Sequence, residues 1–283
     1  MSEPRYDGLP RHRVALETRL RNIANARGAN ELRLRRTLAN TIVAQMLPPG
    51  VVKGGTALKL RVGEAGSRFT PDFDAARAAN LTVDDFIDDF GRRLATGWNG
   101  FTGRIVRLDP ADPPGIPDDY VMQPFELKLS YRNQAWLSVE FELGHDEIGS
   151  TKNPTFALAQ ELMELFDQLG LPSPAAVALL STEHQIAQKL HACTTPNRHG
   201  GNERAHDVVD LQILIEADPP DPSVLANVGP RLFAARRVAP WPPVVRIFLG
   251  WEETYARAAE GLDVRPLPDA IEWINNLIAT IEK

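Results

Sequence analysis

The sequence contains a single cysteine, Cys193, among its 283 residues. This scarcity excludes an internal disulfide framework and a zinc site built from several cysteines. The chain also lacks any apolar run close to the ~18 residues that a membrane-spanning helix needs. Its first residues, MSEPRYDGLPRHR, contain no apolar core. We therefore expect no secretory signal and a cytoplasmic protein.

An excess of positive charge is absent as well, because the formal net charge is −6. The arginines are nevertheless distributed unevenly. Residues 1–40 contain nine arginines and four acidic residues, and a second basic group consists of Arg231, Arg236, Arg237 and Arg246. Local basic faces matter more than the total charge when the partner is a phosphate backbone. Two interpretations stay open: a nucleic-acid-binding face, or ordinary arginine-rich helix surfaces.

The stretch from Val51 to Asp74 has the pattern of a strand, a glycine turn, a short helix, a loop and a second strand. Gly54 and Gly55 would let the backbone pass close to a phosphate, and the helix after them would offer free N–H groups. Asp72 and Asp74 lie two residues apart on a strand, so both point to one face. Adjacent carboxylates repel each other unless a cation, commonly a divalent metal, lies between them. The stretch therefore predicts a phosphate cradle beside a metal-binding pair.

Two more strands are predicted, from Phe125 to Tyr131 and from Ala135 to Leu143, and the short polar tip between them favours a hairpin. In the second of these strands Glu140 and Glu142 share a face, opposite three apolar residues. Charged groups along one face are typical of a solvated sheet and also of an active-site floor. The sequence leaves both possibilities open.

From residue 155 onwards the pattern is mostly helical. Lys189 lies on a predicted helix from Thr182 to Cys193. The next predicted helix carries three charged residues at i, i+3 spacing along one ridge, Arg204, Asp207 and Asp210. Taken alone, such a ridge indicates an ion pair within a helix and a solvated surface.

A second possibility involves histidine. His206 directly precedes Asp207, and three histidines lie upstream, at His184, His191 and His199. This order is similar to that of the HD-type metal-dependent phosphohydrolases, in which imidazoles bind a metal that activates water. That scheme, however, leaves Lys189 and the Asp72/Asp74 pair without a function.

The pattern as a whole predicts an α+β first half with a mixed sheet and an all-helical second half. The polar, glycine-containing stretch from Leu143 to Thr155 is the expected domain boundary.

These segments together resemble the AbiEii/AbiGii-type nucleotidyltransferase toxins of type IV toxin–antitoxin systems, which include the mycobacterial MenT group. The likeness covers most of the chain, in the same order. Its motifs are KGGTAL at residues 53–58, Arg61, RFTPDFD at 68–74, KLSY at 128–131, QKLHA at 188–192 and RAHDVVDL at 204–211. The glycine pair followed by D-x-D is found in several enzyme families. Its combination with the motifs QKLHA and RAHDVVDL is specific to this family.

The resemblance implies a nucleotidyltransferase-fold domain at residues 1–150 and a helical domain at residues 151–283 that closes the active-site cleft. It implies transfer of a nucleoside monophosphate from an NTP, usually a pyrimidine nucleotide, to the 3′ end of tRNA. Pyrophosphate is released and translation and growth are blocked. A cognate antitoxin is the implied partner. Other members of the fold modify a protein or small-molecule hydroxyl, and a catalytically silent binding protein is a further alternative, disfavoured because the motif residues are all present.

The resemblance and the chemistry of the side chains together assign the following roles. Asp72 and Asp74 would hold two Mg²⁺ ions, with Glu142 preferred over Glu140 as a third ligand. The β- and γ-phosphates would lie against Gly54, Gly55 and Thr56. Further phosphate partners would be Arg61, Arg68 and Lys128.

In the helical half, Lys189 would contact a phosphate, and Asp207 would orient it or a base edge. Asp210 is expected to be a structural partner of Arg204. Thr70 lies two residues before Asp72, so a phosphate on its hydroxyl would place negative charge beside the metal-binding carboxylates. We expect that such a modification, if an antitoxin directs it, impairs the binding of metal or NTP.

Overall fold

The structure, a computed structural model, describes residues 3–110 and 121–281. The described residues divide into two compact units. The first unit consists of the described parts of 1–64, 69–146 and 154–179, and the second of 65–68, 147–153 and the described part of 180–283.

The first unit begins with two helices, α1 (Arg13–Arg27) and α2 (Glu31–Gln45), in agreement with the apolar stripes that predict two helices over residues 11–47. Gly28 ends α1 in the left-handed conformation, which glycine adopts without a steric penalty. The side chain of Asn30 then accepts hydrogen bonds from the backbone N–H groups of Leu32 and Arg33 and so caps α2.

The centre of the first unit is a seven-stranded mixed sheet. Its strands are β1 (Gly50–Lys53), β2 (Phe73–Arg77), β3 (Phe101–Arg107), β4 (Gln123–Tyr131), β5 (Gln134–Gly144), β6 (Thr155–Ala157) and β7 (Val177–Leu179). The order across the sheet is β3-β4-β5-β2-β1-β7-β6. The pairs β2/β5 and β1/β7 are parallel, and the other neighbouring pairs are antiparallel. β2 therefore lies in the middle of the sheet, between β1 and β5.

Three helices complete the first unit: α3 (Gly54–Val62), α4 (Val83–Thr96) and α5 (Gln160–Leu169). Thr82 and Asp85 form a reciprocal capping box at the start of α4, as the composition predicts for Thr82. The predicted hairpin between β4 and β5 closes through a tight turn, in which Arg132 and Asn133 both have positive φ.

The second unit contains the helices α6 (Thr182–Thr194), α7 (Ala205–Ala217), α8 (Pro222–Arg236), α9 (Trp251–Ala259) and α10 (Leu267–Ile281). The mixed sheet followed by a helical C-terminal region confirms the predicted α+β class. Within the described residues, no helix is both long and apolar enough to span a membrane.

Two details differ from the predicted pattern. The short strands β6 and β7 lie in the part of the chain predicted as helical; each has only three residues, too few for a recognisable alternation. Residues 243–250 are not helical, and Pro242 and Pro243 at the start of this stretch cannot donate the backbone hydrogen bonds that a helix needs. The proline and aspartate content from Asp109 to Pro124 predicts a surface loop, most of which lies outside the described residues.

An aromatic cluster forms much of the sheet's packing against α4. Phe141 lies at its centre, with ring centroids between 5.3 and 6.3 Å from those of four other phenylalanines, Phe73, Phe86, Phe90 and Phe125. All five side chains are buried. The two residues that flank Phe141 on β5, Glu140 and Glu142, consequently point to the opposite face of the sheet.

We expect Phe141→Ala to lower the free energy of unfolding by about 3–5 kcal/mol, because it leaves a cavity in this cluster. Phe156→Ala is the matched control, since Phe156 is 68% exposed on β6, and we expect a change below about 0.5 kcal/mol. Urea denaturation followed by circular dichroism measures both values. Equal destabilisation by the two substitutions would contradict the central position of Phe141.

Candidate active site

The glycine pair lies where a strand turns into a helix. Lys53 ends β1, and α3 begins at Gly54, whose φ of 65° suits glycine. A Cβ atom at Gly54 would collide with the carboxylate of Asp74, and one at Gly55 would collide with the side chain of Thr70. The backbone at the start of α3 therefore packs directly against the acidic segment.

The register of the sheet places two carboxylates side by side. Asp74 on β2 is opposite Glu142 on β5, and Phe73 is opposite Phe141. Because Phe73 and Phe141 point into the aromatic cluster, Asp74 and Glu142 share the other face.

A second carboxylate pair lies next to the first. Asp72 comes one residue before β2, and its carboxylate is close enough to that of Glu140 for the two charges to interact. The predicted third carboxylate, Glu142, thus neighbours Asp74, whereas Glu140 neighbours Asp72. Four carboxylates, in two pairs, occupy one region of the first unit.

The pKa values of two of these carboxylates indicate that nearby positive charges do not fully balance their negative charge. Burial, followed by the charges of Asp74 and Glu140, raises the pKa of Asp72. Burial, followed by the charges of Asp74 and Asp72, also raises the pKa of Glu142. Asp72 and Glu142 are therefore harder to ionise because of burial and their acidic neighbours, and a cation placed beside them would reverse this effect.

The donor set fits Mg²⁺ chemically, since hard divalent cations prefer carboxylate oxygens. The described residues contain no group of three or more His, Cys, Asp or Glu side chains already arranged to hold a metal ion. The carboxylates are thus of the right chemical type and lie near each other, but they do not form a complete set of metal ligands.

Two basic residues near these carboxylates were missed by the sequence analysis. Lys53 is the register partner of Asp74 across β1 and β2, and its charge favours ionisation of Glu142. Arg36 on α2 donates to the carbonyl oxygen of Ser138 at 2.8 Å and interacts electrostatically with Glu140 and Asp72. The position of Lys53 directly before the glycine pair could have indicated its proximity. No local pattern distinguishes Arg36 from the other arginines of α2.

Thr56 and Thr70 are both buried near the glycine pair. The Thr56 hydroxyl donates to the backbone carbonyl of Asp72 at 2.6 Å, so the geometry favours a role in positioning Asp72. The Thr70 hydroxyl has no hydrogen-bond partner within the described residues. The predicted phosphate contact of Thr56 and the regulatory modification of Thr70 stay predictions.

The structure does not bring Arg61 or Lys128 directly to the cradle. Arg61 lies in the last turn of α3, seven residues after Gly54, which corresponds to about 10 Å along the helix axis. Lys128 on β4 is half-exposed and forms an ion pair with Glu126 at 3.1 Å. Their predicted contacts with phosphate stay predictions.

Most of the N-terminal arginines have partners within the first unit. At least seven of the nine form ion pairs or hydrogen bonds with acidic side chains or backbone carbonyls: Arg5, Arg19, Arg21, Arg27, Arg33, Arg35 and Arg36. In the second basic group, Arg236 pairs with Glu147. These contacts favour the interpretation as paired helix surfaces over that of a dedicated nucleic-acid-binding face.

The second unit contains a buried ion network. Nζ of Lys189 on α6 lies 2.8 Å from Oδ1 of Asp207 and 2.6 Å from Oδ2 of Asp210, both on α7. Arg68 binds both carboxylate oxygens of Asp210, at 2.9 and 3.0 Å. Arg204 binds Asp207 at 2.7 Å. The two carboxylates are thus shared among three cations.

This geometry corrects one expectation, the ion-pair partner of Arg204. Asp210 pairs with Lys189 and Arg68, and the ion-pair partner of Arg204 is Asp207, because the i, i+3 spacing aligns those two side chains. Lys189 is 6% exposed. Burial alone would raise the pKa of Asp207, but Lys189 and Arg204 lower it far below its ordinary value. The predicted contacts of Lys189, Asp207 and Arg68 with the nucleotide stay predictions.

The four histidines of the phosphohydrolase alternative have different surroundings. His206 lies 3.9 Å from Asp207, His191 contacts Arg236 and Phe233, His184 is paired with Ser181, and His199 with Arg198. They form no metal site within the described part of the chain.

We expect Lys189→Met to lower the free energy of unfolding by about 3–5 kcal/mol, since it leaves two buried carboxylates without their shared ammonium group. Lys152→Met, at an exposed position of the second unit, should change it by less than about 0.5 kcal/mol. Chemical denaturation measures both. A stable but inactive Lys189→Met protein would instead support the predicted contact with the nucleotide.

One buried histidine, His191, and one partly buried histidine, His206, predict a pH dependence of stability. Burial and the charge of Arg236 lower the pKa of His191 to about 4, and burial, partly offset by Asp207, lowers the pKa of His206 to about 4. The unfolded chain, with histidine pKa values of about 6.5, therefore takes up protons first as the pH falls. Stability should be fully present above pH ~6.5 and decrease towards pH ~4, by about 1–2 kcal/mol per histidine at pH 5.

Denaturation at pH 5 and pH 7 measures this difference. We expect His191→Gln or His206→Gln to reduce it and His199→Gln, at an exposed position, to preserve it. A pH difference that is unchanged in both buried-site variants would assign the effect to other groups.

The chain was compared with known proteins by sequence and by structure. No curated protein sequence matches it. Among solved structures it is similar to "MenT4, nucleotidyltransferase toxin Rv2826c from Mycobacterium tuberculosis H37Rv", at 14% sequence identity and a TM-score of 0.49, over 95% of this chain and 98% of that one. A profile of the family "Nucleotidyl transferase AbiEii toxin, Type IV TA system" matches residues 34–274, from α2 to α10. Because the match spans most of the sequence and includes the glycine pair, the four carboxylates and the α6–α7 motifs, the chain belongs to the AbiEii family of nucleotidyl transferase toxins.

Proposed function

We propose that the protein is a Mg²⁺-dependent toxin that transfers a nucleoside monophosphate from an NTP, with a preference for pyrimidines, to the 3′ end of tRNA. Family membership gives the nucleotidyl transfer and the toxin–antitoxin context. The observation that supports the location of the site is the direct packing of Gly54 against the carboxylate of Asp74. A backbone that can approach phosphate and an acid pair that can approach a metal are thereby adjacent.

The proposed reaction needs a nucleophile and a leaving group in line. A hydroxyl of the acceptor attacks the α-phosphorus and loses its proton, and the bond from the α-phosphorus to the bridging oxygen breaks, which releases pyrophosphate. The N–H groups at Gly54 and Gly55 would hold phosphate oxygens at the positive end of α3. Thr56 would keep Asp72 in place through the hydrogen bond to its carbonyl oxygen.

Asp72, Asp74 and Glu142 would hold the metal, in a two-ion arrangement. When bound, Mg²⁺ would neutralise charge on the triphosphate and lower the pKa of the attacking hydroxyl. Asp74 and Glu142 are positioned by their shared register, and Asp72 by Thr56. The remaining carboxylate, Glu140, would add its negative charge beside Asp72.

Lys189 and Asp207 would be catalytic residues of the helical half. This assignment rests only on the resemblance of their motifs to those of the family. The division into domains at residue 150, with the helical half closing over the nucleotide, likewise stays a prediction. A cognate antitoxin is the partner that the family implies. An acceptor other than RNA, a protein or small-molecule hydroxyl, is the alternative that the experiment below distinguishes.

We expect label from α-³²P-labelled CTP or UTP to appear in tRNA when the protein is incubated with Mg²⁺ and total RNA. Asp72→Asn and Asp74→Asn should each reduce this labelling at least about 100-fold, which corresponds to about 2.7 kcal/mol of transition-state stabilisation. The matched control is Asp88→Asn, at an exposed position of α4, which should label tRNA like the unaltered protein.

Gel separation of the products gives the outcome for each alternative. Label found in protein or in a small molecule, and not in tRNA, would identify that molecule as the acceptor. Equal labelling from ATP and GTP would contradict the pyrimidine preference. Labelling that persists in both site variants would contradict the proposed site.

A further inference from the structure

Lys53 lies in the proposed site but has no role in the scheme above. It is the last residue of β1 and the residue that precedes α3. Its Cα atom is the register partner of that of Asp74, which in turn is the partner of Glu142. One basic and two acidic residues therefore form a row across three adjacent strands, directly beside the glycine pair.

The position of the ammonium group can be specified further. Nζ of Lys53 lies 3.2 Å from the sulfur atom of Met122. A Cβ atom added at Gly144 would lie 3.0 Å from the same Nζ. Gly144 is two residues after Glu142 on β5, so Lys53 extends across β2 towards that end of β5. Glycine at position 144 leaves the space that the lysine side chain occupies.

A lysine six residues later shows what a purely structural lysine looks like in this unit. Lys59 is 1% exposed and hydrogen-bonded to Glu64, which also binds Arg33 and Thr37. Lys53, in contrast, is only half-buried, and one of its neighbours is a thioether, which is a weak acceptor. Its surroundings leave it better able than Lys59 to change partners.

We propose that Lys53 is a triphosphate-binding residue that neutralises the Asp74–Glu142 pair in the free protein and contacts phosphate oxygens when the metal and nucleotide bind. This inference rests on the proposed nucleotidyl transfer. The divalent cation would take over the carboxylates, and the released ammonium group, which belongs to the residue directly before the glycine pair, would turn towards the phosphates. Lys53 and the metal thus compete for the same carboxylates, whereas Lys53 and the triphosphate attract each other.

This exchange predicts effects of opposite sign on two ligands. Without Lys53 the carboxylates keep more negative charge, so Mn²⁺ alone should bind about tenfold more tightly to Lys53→Met. A non-cleavable NTP analogue, offered with saturating Mn²⁺, should bind about tenfold more weakly, because its phosphates lose a cationic partner. A lysine that merely stabilises the fold would not produce this combination.

Isothermal titration calorimetry with Mn²⁺ alone, and then with the α,β-methylene analogues of the four NTPs, measures both affinities on the full chain. Lys53→Arg keeps the charge and should bind both ligands within about threefold of the unaltered protein. Arg92→Met, which removes an exposed charge on α4, is the matched control and should leave both affinities unchanged. Lys53→Gln provides a second neutral variant if Lys53→Met does not fold.

The possible results separate the two proposals. If the unaltered protein binds Mn²⁺ and an analogue but the neutral variants bind both as it does, or bind both more weakly, the role of Lys53 is wrong and the proposed function stands. If the unaltered protein binds neither Mn²⁺ nor any of the four analogues, the proposed function is wrong and the inference is overturned with it.

Discussion

The mutual repulsion of four carboxylates on one part of a sheet is the constraint on which the proposed site depends. Asp74 and Glu142 are held side by side by the pairing of β2 with β5, and the charge of Glu140 acts on the neighbouring Asp72. Asp74 and Glu142 cannot separate at the backbone without breaking that ladder. Burial of Asp72 and Glu142 strengthens the repulsion, because it removes the water that would otherwise screen it. The fold therefore brings together carboxylates whose repulsion a bound cation would relieve.

The second unit also contains buried carboxylates, but there the neighbouring cations outweigh the effect of burial. Asp207 and Asp210 are fully buried, yet their pKa values are lowered, since Lys189, Arg68 and Arg204 more than offset the effect of burial. A network in which each carboxylate has two direct cationic partners needs no ligand to be stable, and losing one partner is costly. Around Asp72 and Glu142, by contrast, the net effect of the surroundings is to raise the pKa. The direction of the shift thus distinguishes carboxylates that are balanced by cations, Asp207 and Asp210, from carboxylates whose burial and acidic neighbours outweigh the nearby cations, Asp72 and Glu142.

Local patterns predicted the helices, most of the sheet and the acidic face, because alternation along a strand fixes which residues point together. The same alternation, applied across β1, β2 and β5, would have placed Lys53 beside Asp74 once the pairing of the strands was known. The ion pair of Arg68 with Asp210 joins residues 142 positions apart, and nothing in either segment indicates it. The i, i+3 spacing of Arg204 and Asp207 accounts for their ion pair, but it does not indicate that Asp210 pairs with Lys189 and Arg68. Long-range pairing of charges is thus the part that the sequence left undetermined.

Around β2, three glycines leave space next to charged or polar side chains. Gly54 and Gly55 have no side chains that would separate the start of α3 from Asp74 and Thr70, and Gly144 leaves room for Lys53. A site that served stability alone would be expected to fill such positions, since close packing and paired charges both stabilise a fold. Here three glycines keep backbone N–H groups, acidic oxygens and one ammonium group within reach of each other. A metal-bound triphosphate carries both signs of charge, so it matches the two kinds of group together, whereas a metal ion alone or a phosphate alone would match only one.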